Sequence, residues 1–239
     1  MNKINKDNIA LCIASINNKC LPVLLESIKQ YIPIEIPIYL YAHDYINHKL
    51  KHKVLQKPNT STSFGDAYNN VVNDAFASYE NVLICNDDIV FTPNTFTDLL
   101  MNLDIINNVG MLDSMGYLAC RTDYSAGGQN IRNSNNTEFN GMHYNAEYVI
   151  TLTDVIAPIC ALINKSAWVD FKSINYFSDN IQCNDIMNKG YQHYIGTFYV
   201  HHVGSQTLQN QEIEVRKALD YLFIHDYNNY IKYKDVYAF

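Results

Sequence analysis

Between Val82 and Ile89 the chain reads Val-Leu-Ile-Cys-Asn-Asp-Asp-Ile, four apolar residues running straight into a polar cluster with adjacent carboxylates. A short continuous apolar run of this kind suits a strand buried on both faces, as in a parallel sheet. Ligands of open α/β sheets sit just beyond the carboxyl ends of the strands. Asp87 and Asp88 would stand at that edge. Paired hard oxygen ligands there suit a divalent cation such as Mg²⁺ or Mn²⁺. Taken alone, the same residues also suit a strand that ends in a turn, because Asn and Asp are common turn formers.

The flanking sequence favours a sheet of this type. Residues 8–16 read as a buried strand, and Leu21, Leu24, Leu25, Ile28 and Ile32 then recur at helical spacing. Pro22 fits the first turn of that helix, while Pro33 and Pro37 stop it before the strand Ile38-Tyr39-Leu40-Tyr41-Ala42. Strand, helix and strand in this order make a βαβ unit and imply parallel pairing. His43-Asp44 closes the second strand at the carboxyl edge. Val54-Leu55-Gln56 is a short strand candidate. The segment from Ser63 is a helix with Tyr68, Val72, Ala75 and Phe76 on one face. Gly65 lets the backbone come close at its start, where a helix N-terminus favours anionic groups.

Beyond the acidic pair, Pro93 precedes a helix carrying Phe96, Leu99, Leu100 and Leu103. Residues 109–112 and 116–120 read as strand material. Residues 124–147 lose all periodicity, and a long irregular segment within a domain is often a functional lid. Residues 148–163 read as strands broken by Pro158, and Asn164–Trp168 as a short helix. Asp179–Gly190 reads as a helix, Tyr194–Val200 as a strand leading into His201-His202, and Ile213–Phe223 as a last helix. The aromatic tail from Tyr227 is expected to pack back on the body.

Composition narrows the function classes. A chain of 239 residues with 48% hydrophobic content suffices for one α/β domain. A formal net charge of −7 argues against generic phosphate-backbone binding. The basic run His48–Lys53 is either a solvated loop or a contact to an anionic ligand. Six cysteines without a C-x-x-C pair exclude zinc-ribbon spacing and fit a reduced, cytoplasmic protein. No segment has the roughly eighteen apolar residues of a membrane span. The first apolar run, flanked by Asp7-Asn8 and Asn17-Asn18-Lys19, reads as a strand rather than a leader.

The order of these features resembles the GT-A glycosyltransferases, especially the family-2-like group. The elements that carry the resemblance are the early βαβ unit, Gly65–Asn73 before the central strand, Asn86-Asp87-Asp88 at the D-x-D position, Ala157–Trp168, Asp179–Gly190 and His202–Ser205. Together they cover roughly residues 8–207. The resemblance implies an α/β fold of GT-A type, a Rossmann-like, mostly parallel sheet flanked by helices. It implies one unit over 1–239, with a nucleotide-sugar half about 1–110, an acceptor half about 111–207, and a C-terminal helix and aromatic tail 208–239. It also implies a nucleotide-sugar donor and Mn²⁺ or Mg²⁺. Asp88 matches the acidic position that binds the metal, Asp87 the middle position, and Asn86 stands where the first acid is usual. Ser15, Asp44, Gly65, Asn69, Asn86 and Asp87 are the expected donor-side residues. His202 resembles the late His that completes the metal site, with His201 the adjacent candidate; successive strand residues face opposite ways, so one of the two reaches the metal.

Sugar transfer needs a carboxylate to take the acceptor's proton. Asp179 stands before the helix, where the family keeps that acid, and Asp185 is the alternative. The bland reading of Asp179 is an N-cap. The acceptor is a glycan, a lipid-linked sugar, a protein or a hydroxymethylated DNA base. The small size and AT-rich style suit a viral or phage enzyme working in a host cytoplasm. A nucleotidyltransferase is the second reading, although Ser15–Lys19 lacks the Gly-rich phosphate loop expected there. A nucleotide- or sugar-binding module that has lost turnover is the third.

Overall fold

The computed structural model describes residues 8–123, 127–131, 149–203 and 211–236. The expected lid falls largely outside these residues, as do Gly204 and Ser205. Strand β1 (Ile9–Ala14) is buried along its whole length. Helix α1 (Leu21–Tyr31) has its proline in the first turn and buries Leu21, Leu24, Leu25 and Ile28. Ile32 then turns to an extended conformation before Pro33. Strand β2 (Ile38–Ala42) pairs parallel with β1, Ile13 opposite Leu40, as the βαβ pattern predicts. Strand β3 (Val54–Pro58) adds parallel to β2. Helix α2 (Phe64–Phe76) is capped by Ser63, whose hydroxyl accepts the Asp66 amide. Strand β4 (Asn81–Asn86) lies parallel to β1, so Ala14 and Asn86 end side by side.

The second half mixes directions. Strand β5 (Ile89–Phe91) is short, and helix α3 (Thr95–Asn108) comes after it. The stretch 109–112 is a turn and a short 3₁₀ segment rather than a strand. Gly110 sits there at φ +74°, a conformation that ends a helix and cannot continue into a strand. Then come β6 (Met115–Thr122), β7 (Thr151–Thr153) and β8 (Cys160–Asn164). Helix α4 (Ser178–Asn188), strand β9 (Gln192–His202), and helices α5 (Gln211–His225) and α6 (Tyr227–Tyr233) complete the chain. The sheet order is β3-β2-β1-β4-β8-β6-β9-β5, with β7 also on β9. β8 runs antiparallel to β4 and β6, while β9 is parallel to β6. The carboxyl ends of β1, β2, β3, β4, β6 and β9 therefore share one edge.

Alternation along the strands sorts the core into two layers. Ile9, Leu11, Ile13, Leu83, Leu118 and Leu162 pack beneath α1 and α3. Ala10, Cys12, Val82, Ile84, Tyr117 and Ala161 pack beneath α2 and α4. A third, smaller cluster joins α4 to the last two helices through Phe177, Ile181, Val215, Leu222 and Tyr233. Of the described part of the aromatic tail, Tyr233 packs back, stacked on Phe177 at 4.8 Å, while Tyr227 is exposed.

The connection from β8 to α4 sets where that helix begins. β8 ends at the amino edge, where Asn164 faces Asn81, yet α4 must run back to that edge before β9 begins. Residues 165–177 carry the chain across. A hydrogen-bonded turn stands where a short helix was expected, because the Asn164 carbonyl takes the Ala167 amide while its side chain takes the Ser166 amide. The chain then runs antiparallel along α2 as a strap. Lys165 Nζ donates to the Phe76 carbonyl at 2.7 Å, and Trp168 meets the Phe76 ring at 5.9 Å. The Asn69 amide holds both the N–H and the carbonyl of Phe171, at 2.8 and 2.9 Å. Asn175 accepts the Phe64 amide at 2.7 Å.

Gly65 belongs to this strap, since a Cβ there would overlap the Lys172 carbonyl oxygen. A backbone atom cannot give way as a side chain can, so Gly65→Ala should destabilise the fold by roughly 3 kcal/mol. Urea unfolding would show it as a lower midpoint at an unchanged slope.

A buried histidine closes the far side. His193 Nδ1 accepts the Tyr117 amide at 3.1 Å, so the ring proton lies on Nε2 and is donated to the Cys183 carbonyl at 2.9 Å. Burial pushes its pKa down, against the opposing Cys183 contact. The unfolded chain thus binds this proton more readily than the folded one. The stability tied to a neutral His193 is whole above the unfolded pKa of about 6.5 and is lost as pH falls through the folded value. His193→Gln should flatten the decline in melting temperature on acidification below about pH 6.5. Comparing the two proteins isolates this group, because the other shifted groups, His52 with the same sign and Asp87 and Asp179 with the opposite one, are common to both.

Candidate active site

At the shared carboxyl edge the first three strands are tied by side-chain amides. Asn59 Nδ2 donates to the Ser15 carbonyl at 3.1 Å. Asn18, at φ +56°, donates from Nδ2 to the Asp44 carbonyl at 3.1 Å and accepts the His43 amide. Asn tolerates this left-handed conformation better than most residues. Asp44 itself is exposed, at the end of β2. The Ser15 hydroxyl donates to the Asp87 carboxylate across the β1–β4 boundary. Burial pushes the Asp87 pKa up; the Ser15 bond opposes this and the neighbouring Asp88 charge adds to it. Asn86 points to the other layer, where its Oδ1 accepts the Tyr68 hydroxyl at 3.1 Å.

Asp88 and His202 meet from opposite sides of a hairpin-like pairing. Ile89 of β5 lies opposite His202 of β9, and Val90 opposite His201. His202 Nε2 stands 3.2 Å from Asp88 Oδ1, both side chains about nine-tenths buried. His201 points the other way: its side chain is 50% exposed and its Nδ1 lies 2.8 Å from Asp123 Oδ2. Asp123 also accepts the His202 amide at 3.0 Å. The alternation of a strand thus gives the two histidines different partners. One carboxylate oxygen and one imidazole nitrogen converging in a buried corner form a donor pair suited to Mn²⁺ or Mg²⁺, ions that take few protein ligands alongside substrate phosphates. Among the described residues no group of three such side chains forms a closed cage.

Asp179 follows the strap at the start of α4, and the groups its charge acts on are Tyr117, Cys183 and Tyr233 rather than Asp87. It is not the N-cap of α4. That position is Phe177, held at φ +64° with no side-chain cap bond, and Asp179 lies inside the first turn. A buried aromatic in the left-handed region stores strain of about 1–3 kcal/mol, which is found where the surroundings over-determine a functional segment. Burial raises the Asp179 pKa, while bonds from the Asn180 and Asp179 amides oppose the shift. Asp185 lies elsewhere on α4. Burial raises its pKa too, and its charged neighbours are Lys172, Asp226 and Lys232, beside the 3.0 Å Lys172–Asp226 ion pair.

Gly65 and Asn69 act on the chain itself. The Gly65 amide goes to the Ile174 carbonyl at 3.3 Å, and both ends of the Asn69 amide are taken by Phe171. In the basic run Lys49, Lys51 and Lys53 are exposed, while His52 is buried and accepts the Ile36 amide.

Sequence patterning misses Asp123 and Arg121, because the apolar run of β6 stops at Cys120 while the strand continues to Thr122. The rule that draws attention to Asp87, a carboxylate at a strand's carboxyl end, applies equally to Asp123. Arg121 is half-buried; burial lowers its pKa, and its Nη2 donates to the Val149 carbonyl at 3.1 Å. Its Nε finds no hydrogen-bond partner among the described residues.

The chain matches no protein-family profile and no curated protein at the level of sequence. Its fold is similar to S. aureus TarS 1-349, with TM-score 0.55 and 12% identity over 82% of this chain and 60% of that one. The same TarS fragment in complex with UDP-GlcNAc gives 0.52 and 14% over 92% and 67%. GalNAc-T7 with UDP, GalNAc and Mn²⁺ gives 0.60 and 11% over 94% and 49%. The chain therefore spans roughly half to two thirds of the length of these proteins. What they share with it is the architecture: the chain has the mixed α/β GT-A fold, a nine-stranded sheet flanked by helices.

Proposed function

We propose that this chain is a glycosyltransferase that moves a sugar from a nucleotide-sugar donor to an acceptor hydroxyl, residues 1–239 working as one unit. The observation that carries the reading is the meeting of Asp88 with His202 beside the Ser15–Asp87 pair, at the edge where α4 begins. Two similar folds lend support: TarS is described with UDP-GlcNAc, and GalNAc-T7 with UDP and Mn²⁺. Asp88 and His202 would hold Mn²⁺ or Mg²⁺. When bound, such a cation supplies positive charge to the departing diphosphate. Ser15, Asp44 and Asp87 line the donor side, and Asn86 braces it through Tyr68. Gly65 and Asn69 serve it through the strap, and His201 through Asp123.

In this reading Asp179 is the base. The acceptor hydroxyl gives its proton to the Asp179 carboxylate as its oxygen bonds to the anomeric carbon. The bond from that carbon to the diphosphate oxygen breaks, and its electron pair leaves with the nucleoside diphosphate. Such a displacement inverts the anomeric centre. A raised carboxyl pKa suits the role, because a base works best with its pKa near the working pH.

The test is thermal stability against nucleoside diphosphates, UDP first, with and without Mn²⁺. A ligand that binds only the folded chain stabilises it by about 2.7 kcal/mol at a hundredfold excess over Kd. The expected result is a rise of several degrees with one nucleotide, dependent on the metal. No shift with any nucleotide would remove the donor site.

A further inference from the structure

A cleft of about 340 Å³ opens between the loop that caps α2, the end of the strap and the face of α5. Its lining includes Thr62, Ser173, Asn175, Glu214, Lys217 and Tyr221. That volume is at the low end for ligand pockets, about 300–1,000 Å³, and holds one small ring with its substituents. Two landmarks place the cleft relative to the helices that frame the candidate site. Ser63 caps α2 at the carboxyl edge, and Asn175 stands on the strap just before Asp179.

The lining has a definite chemistry. Its two charges cancel, because Lys217 Nζ lies 2.7 Å from Glu214 Oε1. The other Glu214 oxygen accepts the Asn175 amide at 2.6 Å. An anionic ligand would find no unspent positive charge there, and nucleic acid would find no basic track. The Asn175 amide is taken at both ends and Ser173 donates to Asp66, so the groups left for a ligand are the Thr62 hydroxyl and the remaining lone pairs of Ser173 and Glu214, which exchange hydrogen bonds with hydroxyls. Tyr221 adds a half-buried aromatic ring, and its hydroxyl takes no hydrogen bond among the described residues. An amphipathic ring beside fixed polar groups suits a ligand with one apolar face and a hydroxylated rim.

We infer that this cleft is an acceptor subsite that takes a neutral, hydroxyl-rich unit, a sugar ring of a glycan. The inference rests on the glycosyltransferase reading and deepens it: the acceptor is a glycan rather than a nucleobase, and the cleft holds a ring other than the one that reacts. Glu214 and Tyr221 are then specificity residues that hold the acceptor away from the reacting atoms.

The experiment uses the full chain and an array of neutral and acidic glycans, with a single-stranded oligonucleotide carrying hydroxymethylcytosine as the competing class. Saturation-transfer NMR then gives affinities for whatever binds. The expected result is binding of a neutral glycan, weakened about tenfold in Tyr221→Ala, or about 1.4 kcal/mol, the order of a lost aromatic contact. Thr62→Trp, at a loop position, should fill the mouth of the cleft and weaken the same glycan without removing any core contact. Binding by acidic glycans or the oligonucleotide alone would overturn the inference. So would glycan binding that both variants leave unchanged, or no glycan binding at all. The nucleotide-and-Mn²⁺ shift, read on the wild-type chain, reports on the donor side independently. If that shift is absent while Tyr221→Ala weakens a glycan, the transferase reading falls and the saccharide cleft stands.

Discussion

Asp88→Ala should abolish the metal-dependent stabilisation by nucleotide and lower kcat/KM by on the order of a thousandfold or more. A bound cation contributes several kcal/mol of charge stabilisation, and each 1.4 kcal/mol or so is a factor of ten. The fold should survive, because the main-chain bond from the Val203 amide to the Asp88 carbonyl, at 3.0 Å, does not involve the carboxylate. Isothermal titration with Mn²⁺ and UDP, alongside the unfolding midpoint of the apo protein, separates the two effects. Retention of metal-dependent nucleotide binding would show that Asp88 is a buried partner of His202 and nothing more. His202→Ala should weaken metal affinity in the same direction, whereas His201→Ala, whose ring is half exposed and turned to Asp123, should not.

Asp179→Asn should lower kcat by about 10²–10⁴, the usual contribution of a positioned base. The amide is close to the same shape and keeps the Asn180 bond, so the donor KM should stay within about twofold. The pH profile gives a sharper signature. A base must be deprotonated to act, so the rate falls as pH drops through the Asp179 pKa. Burial moves that pKa upward, which shifts the acid limb to higher pH than an exposed aspartate would give. The limb should vanish in Asp179→Asn. Full turnover in this variant would move the base elsewhere, with Asp185 an unpromising heir among Lys172, Asp226 and Lys232.

Much of the first half of the sheet is legible in the sequence because it is built from local, periodic signals. Leu21 to Ile28 repeats at helical spacing, Val82 to Cys85 is a run too short for a buried helix, and Pro33 and Pro37 mark the return to a strand. The alternation of His201 and His202 foretells that they part company, although which one faces inward depends on the partner strand β5. The strap is illegible for a physical reason. Its contacts with α2 come from Asn69, Gly65 and Phe64, about a hundred positions earlier, and nothing in its own residues repeats. Gly65 reads correctly as a point of close backbone approach, but a glycine does not announce what approaches it. The surroundings of Asp185 come from helix α6, some forty residues downstream, and no local pattern signals them.

Helix α2 also works as a ruler for the strap that lies on it. From Phe64 to Phe76 it spans about 18 Å, at 1.5 Å per residue. The strap must cover that distance between Trp168 and Asn175, the residues it lays against those two ends. Seven fully extended steps of about 3.3 Å would reach about 23 Å, and the bends from Ser173 onward, where the Ile174 amide turns back to the Lys172 carbonyl at 2.7 Å, take up the excess. One residue fewer would still reach, at about 20 Å, but two fewer would fall to about 17 Å and come up short. The spacing between Trp168 and Asn175 is thus a length specification, written by the helix, for where Asp179 can stand.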